Sequence, residues 1–162
     1  MIDFDTDGEN LLWGLAETMT SQDNYSVGVA LRKLVQAGYS TLEQVDATSD
    51  WVLLATPGIG IGRLAAVRRL VRPDWQPPTA DALKAAEGFL SAARFALRFW
   101  PVETLESLLQ GSAPLPTEDR PVEKRLAIEL FSQATQKALR YCGAEELLQA
   151  LQQTSIAFLE SI

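Results

Sequence analysis

Apolar positions along this chain recur at steps of three and four, the period of a helix, and no convincing strand pattern interrupts them. Leu11, Leu12, Leu15, Ala16 and Met19 predict a first helix over 9–20. Val27, Ala30, Leu31, Leu34 and Val35 share one side of a second, over 27–37, which Gly38 stops. Ser40-Thr41-Leu42-Glu43 has capping-box spacing and predicts a short helix over 41–46. Thr48 or Ser49 caps a fourth over 49–55, and a fifth runs from Ile61 to Arg72, where Pro73 ends it. Asp74-Trp75-Gln76-Pro77-Pro78 reads as an extended linker, because paired prolines disfavour helix on both sides. Beyond it, Thr79 caps a helix over 80–99, Pro101 ends that helix, and a short one follows over 102–110. An exposed loop with Pro114 and Pro116 leads to a long helix over 121–142, with Pro121 in its first position. Its apolar face reads as Leu126, Leu130, Ala134, Ala138 and Tyr141. After Gly143, Leu147, Leu151, Ser155, Phe158 and Ile162 mark a last helix. The pattern predicts an all-α chain in two parts: an N-terminal module over 1–75 and a bundle of about four helices over 79–162.

The segment richest in chemistry is Leu53-Leu54-Ala55-Thr56-Pro57-Gly58-Ile59-Gly60-Ile61-Gly62-Arg63-Leu64. Pro57 ends one helix, and Gly58 and Gly60 allow backbone angles or close approaches that a Cβ would obstruct. Ile59 is placed to anchor the turn in the core. The next helix then opens with amide groups that have no helical acceptor, at the end where its dipole favours an anion. A phosphate has a bare backbone to approach.

These residues resemble the helix-hairpin-helix family: an apolar-Pro-Gly-Ile-Gly run with Leu64 four positions after Gly60. The likeness extends to the C-terminal domain of the bacterial RNA polymerase alpha subunit, a SAM-like fold. There Ala37-Gly38-Tyr39-Ser40-Thr41-Leu42 is similar to the start of a short capped helix, and Trp75-Gln76-Pro77-Pro78 to a Trp-Pro-Pro ending. The resemblance covers residues 25–78 or so. It implies that the hairpin amides contact phosphates, which assigns nucleic-acid binding to Gly58, Gly60, Gly62 and Arg63, with Arg68 and Arg32 as further contacts. The alpha domain also inserts an arginine into a minor groove. Val29 stands at that position here, with Arg32 one turn later.

Composition narrows the chemistry. The chain contains no histidine and one cysteine, Cys142, which excludes imidazole bases, histidine-bound metals, thiolate zinc sites and an intramolecular disulfide. Cys142 reads as a small buried hydrophobe or as a reactive thiol. Asp3-Phe4-Asp5-Thr6-Asp7-Gly8 resembles the start of an EF-hand loop, but Gly14 occupies the position of the bidentate glutamate; the other reading is an acidic cap on the first helix. Trp13 and Trp51 fall in core patterns, Trp75 reads as folded back on the hairpin module, and Trp100 as core or partner contact.

The net charge of −7 argues against a general nucleic-acid binder, yet it is unevenly spread. Residues 1–24 carry six acids and no base, whereas four bases (Arg63, Arg68, Arg69 and Arg72) fall within ten positions of the middle. That basic stretch suits either phosphate contact or a solvated helix face. With no apolar run long enough for a membrane and an acidic start unlike a signal peptide, the expectation is a soluble, cytoplasmic protein. It is expected to have no cofactor and to be no enzyme. The leading expectation is a nucleic-acid-associated accessory protein in transcription or DNA processing. It would contact DNA or RNA backbone weakly through the hairpin, and a protein through the C-terminal helices. The alternative is an interaction or assembly factor that keeps the hairpin as a fold element. Oligomeric state is left open.

Overall fold

The computed structural model describes residues 12–18, 25–112 and 121–160. Every regular element among them is an α-helix. The chain divides into two compact units with the boundary between Pro77 and Pro78. None of the described helices is long and apolar enough to cross a membrane.

The first unit holds α1 (Leu12–Thr18), α2 (Tyr25–Gln36), α3 (Leu42–Asp46), α4 (Asp50–Leu54) and α5 (Ile61–Val71). α2 packs against both α1 and α5. Their inward faces supply Leu12, Leu31, Leu34 and Leu64, each 1% exposed or less, and Leu53 of α4 with Leu42 and Val45 of α3 closes the same core. Ile59 reaches into it from the turn and Trp75 packs against its edge. α2 ends as its sequence demands. The Tyr39 N–H donates to Leu34 O and the Gly38 N–H to Val35 O, both at 3.0 Å, while Gly38 takes φ +102°. This is a Schellman ending that only glycine enters without strain. α3 starts one residue later than the capping box predicts. Thr41 Oγ1 accepts the Gln44 N–H at 3.0 Å and Gln44 Oε1 accepts the Ser40 N–H at 2.9 Å. The capping side chains are therefore Thr41 and Gln44, the second reaching back to the Ser40 N–H, and not Ser40 and Glu43.

The second unit holds α6 (Ala80–Ala96), α7 (Val102–Leu109), α8 (Val122–Ala138) and α9 (Ala144–Glu160). Thr79 caps α6 as predicted, its Oγ1 accepting the Ala82 N–H at 3.2 Å. α6 and α8 form the main pair, with α9 and α7 against them. Phe89 and Phe131 meet at the centre of that pair, rings 5.7 Å apart. Trp100, beyond the end of α6, is buried and donates its Nε1–H to Lys124 O at 2.8 Å, near the start of α8. The two helices therefore run antiparallel, and Trp100 is core. α9 buries Leu147, Leu151 and Ser155, as its spacing predicts.

The α8 face is a correction. Ala127, Ile128, Phe131, Thr135 and Ala138 point inward. Of the expected stripe only Ala138 is buried; Leu126, Leu130 and Tyr141 are 40–46% exposed. α8 also ends at Ala138, four residues short of the expectation. The EF-hand-like run at 3–8, the loop at 113–120 and Ile162 lie outside the described residues, and nothing is described of the Trp13 side chain.

Candidate nucleic-acid interface

The connection from α4 to α5 is a turn followed by one extended residue. The Ile59 N–H donates to Thr56 O at 3.1 Å, with Pro57 and Gly58 between them and Gly58 at φ +84°. Proline second and a positive-φ glycine third is the pattern of a type II turn. Gly60 follows at φ −95°, ψ −175°, ordinary extended backbone that any residue adopts. It is the N-cap of α5 and offers no side-chain acceptor. The first helical bond runs from the Leu64 N–H to Gly60 O at 2.9 Å. The N–H groups of Ile61, Gly62 and Arg63 therefore have no acceptor among the described residues. Serine or aspartate at position 60 would satisfy one of them. Glycine leaves all three at a helix start whose dipole attracts an anion.

Two cationic side chains lie against this turn. Arg63 is half-buried, and its Nη1 donates to Gly58 O at 2.6 Å, which folds the guanidinium back on the turn. Lys33 of α2 lays its stem across the same turn. A methyl placed on Gly58 would stand 3.0 Å from both Lys33 Cδ and Cε. Lys33 is not marked by its sequence position, because it sits thirty residues before Arg63 and only the packing of α2 on α5 brings it to the turn. Its one sequence signal is its place beside Arg32 on a helix that otherwise buries leucines. Arg32 itself is exposed, with no hydrogen bond or ion pair to another described residue. Gly62 lies exposed in the first turn of α5.

Arg68 leaves the predicted set. Its relative exposure is 5%. Nε–H donates to Asp50 Oδ1 at 2.9 Å; Nη1 donates to Val45 O at 3.0 Å and Asp46 O at 3.2 Å; Nη2 donates to Thr48 O and lies 2.8 Å from Asp50 Oδ1. Four hydrogen bonds and a close ion pair thus commit the guanidinium to its own unit. The side chain caps the carbonyl end of α3 and ties it to α4 and α5, and its burial keeps it from a phosphate. Arg72 is exposed but paired with Asp46 at 3.0 Å, and Arg69 Nε reaches toward Trp75 O at 3.4 Å. Much of the basic stretch at 63–72 thus holds the unit together. What the fold gathers at the hairpin is Gly58, Gly60, Gly62, Arg63 and Lys33.

No protein-family model, no curated protein and no solved structure matches the chain.

Proposed function

We propose that the first unit is a helix-hairpin-helix module that grips a nucleic-acid backbone, and that the protein is a non-enzymatic accessory to a process on DNA or RNA. One observation carries this reading: the α5 amides of Ile61, Gly62 and Arg63 start uncapped behind the Gly58 turn, against which the Lys33 stem lies and to which the Arg63 guanidinium folds back. Three N–H groups in an arc, a helix dipole and two flanking charges suit one or two adjacent phosphates. With Arg72 and Arg68 committed to Asp46 and Asp50, the contact is small and its sequence preference slight.

A salt titration of labelled duplex and single strand with the whole protein tests it. If Lys33 and Arg63 each neutralise one phosphate, duplex affinity falls about 12-fold between about 50 and about 200 mM salt. Replacing Lys33 or Arg63 by alanine lowers the slope by about one ion each. Gly60→Ser separates binding from folding. Its hydroxyl accepts one of the free amides, so it raises stability by about 0.3 kcal/mol while weakening the complex. Absence of binding at about 20 mM salt, or unchanged affinity in the Lys33 and Arg63 variants, defeats the reading.

A second reading concerns the other unit, where Leu126 and Leu130 stand exposed on α8 and Tyr141 just beyond its end. They favour a protein contact through the C-terminal helices.

A further inference from the structure

The exposed side of α8 carries Glu123, Leu126, Leu130, Ala134 and Lys137 at steps of three and four, and Tyr141 follows in the turn beyond its end. Leu126, Leu130 and Tyr141 are each 40–46% exposed, and Glu123 and Lys137 are exposed as well. Beside the Leu130–Lys137 half of this stripe, α6 presents Ala85, Gly88 and Ala92, and a groove of about 870 Å³ lies between the two helices there. Small residues on the α6 wall leave room for another helix to come close; at Gly88 no atom lies within 4 Å of where a Cβ would stand.

The charges on α8 are disposed to either side. Arg125 pairs with Glu129 at 3.5 Å, and Lys124 Nζ sits 4.4 Å over the Trp100 ring. Glu123 and Lys137 remain at opposite ends of the apolar stripe, with no ion pair among the described residues. Leu130 is seven residues from each. The stripe is its own complement under a two-fold axis at Leu130. An antiparallel copy places Glu123 against Lys137 of the partner subunit at both ends, Leu126 against its Ala134, and the two Leu130 side chains against each other. A two-fold interface requires such a self-complementary patch, since residue i meets j and j meets i. The helix of an unrelated partner would impose no such symmetry, and a parallel copy would set Glu123 against Glu123.

We infer that the second unit self-associates through α8, as an antiparallel two-fold pair seated along the α6–α8 groove. This inference is independent of the nucleic-acid reading. The paired stretch, Glu123 to Lys137, is about 21 Å long, which suits a weak dimer with a dissociation constant on the order of 10 µM.

Sedimentation of the whole protein over a concentration series decides it. Wild type approaches twice the monomer mass by about 100 µM. Glu123→Lys and Lys137→Glu each weaken association more than about tenfold, because two like-charge contacts replace two attractive ones. The double variant Glu123→Lys with Lys137→Glu associates like wild type, and an equimolar mixture of the two single variants also pairs. Circular dichroism verifies that each variant keeps its helices, as exposed substitutions should. A wild type that stays monomeric at about 100 µM, or a double variant no better than the singles, overturns the proposal.

Discussion

Gly58 and Gly60 are two residues apart and differ in what they tolerate. Gly58 is at φ +84°, where an L side chain is strained, and a methyl there would press on the Lys33 stem at 3.0 Å. Gly58→Ala should cost about 1–2 kcal/mol. Gly60 has extended backbone and open space around it, so Gly60→Ala should stay within about 0.5 kcal/mol. Urea unfolding of both variants checks this, and equal losses would contradict the assigned turn. The sequence marks both glycines but cannot rank them, because a Gly-x-Gly run does not reveal which residue crosses to positive φ. At Cys142, burial, with the Glu146 carboxylate nearby, pushes the thiol up to about 12 from an ordinary 9.0. The unfolded chain gives up this proton first. The stability it contributes is therefore complete below pH 9 and is lost as pH rises toward 12. Native protein at pH 9 should alkylate with iodoacetamide far more slowly than urea-unfolded protein. Similar rates in both would leave the thiol unprotected and the shift unreal.

At the scale of elements, the helices themselves are legible and the α8 face is not. Caps and stops are local chemistry: Thr79 before α6, Gly38 after α2 and Pro73 after α5 each act within a few residues. Which side of α8 faces inward is settled by what it meets. Its apolar residues form two overlapping stripes, Leu126–Leu130–Ala134 and Ala127–Phe131–Ala138, both at helical spacing. Phe131 fits against Phe89 of α6, and that fit turns Leu130 outward. The same limit hides Arg68. An arginine among arginines reads as surface, and only the tertiary fold shows three carbonyls and Asp50 waiting for it. Lys33 joins the hairpin for a related reason, through the packing of two helices distant in sequence. Phe131→Ala should cost about 3–5 kcal/mol, as loss of a buried ring in a packed interface does. Leu126→Ala should cost about 0.5 kcal/mol or less, measured by urea unfolding at low protein concentration. A larger loss from Leu126 than from Phe131 would restore the face that periodicity alone suggests.

For the whole molecule, the question is whether two units mean two unfolding events. Each has its own buried set: Leu31, Leu34, Leu53 and Leu64 in the first, Phe89, Leu105, Phe131 and Leu151 in the second. The boundary falls at Pro77 and Pro78, in a stretch without regular structure after Trp75. Units with separate cores unfold independently unless a large apolar interface couples them, and a single two-state transition then fails to describe the chain. Variants confined to one core expose the division. Arg68→Ala strips the partners from Asp50 and from the carbonyls of Val45, Asp46 and Thr48, and breaking a buried pair of this kind costs about 3–5 kcal/mol. It should lower the melting transition of the first unit and leave the other unmoved. Phe131→Ala should do the reverse. Calorimetry of wild type and the two variants, scanned in dilute protein so that self-association adds nothing, reads the outcome directly. Two component transitions, each answering to one variant, mean that the two units fold as separable parts. One transition shifted equally by both variants means that Pro77–Pro78 joins a single cooperative body, in which a loss in either core is felt by all of the helices.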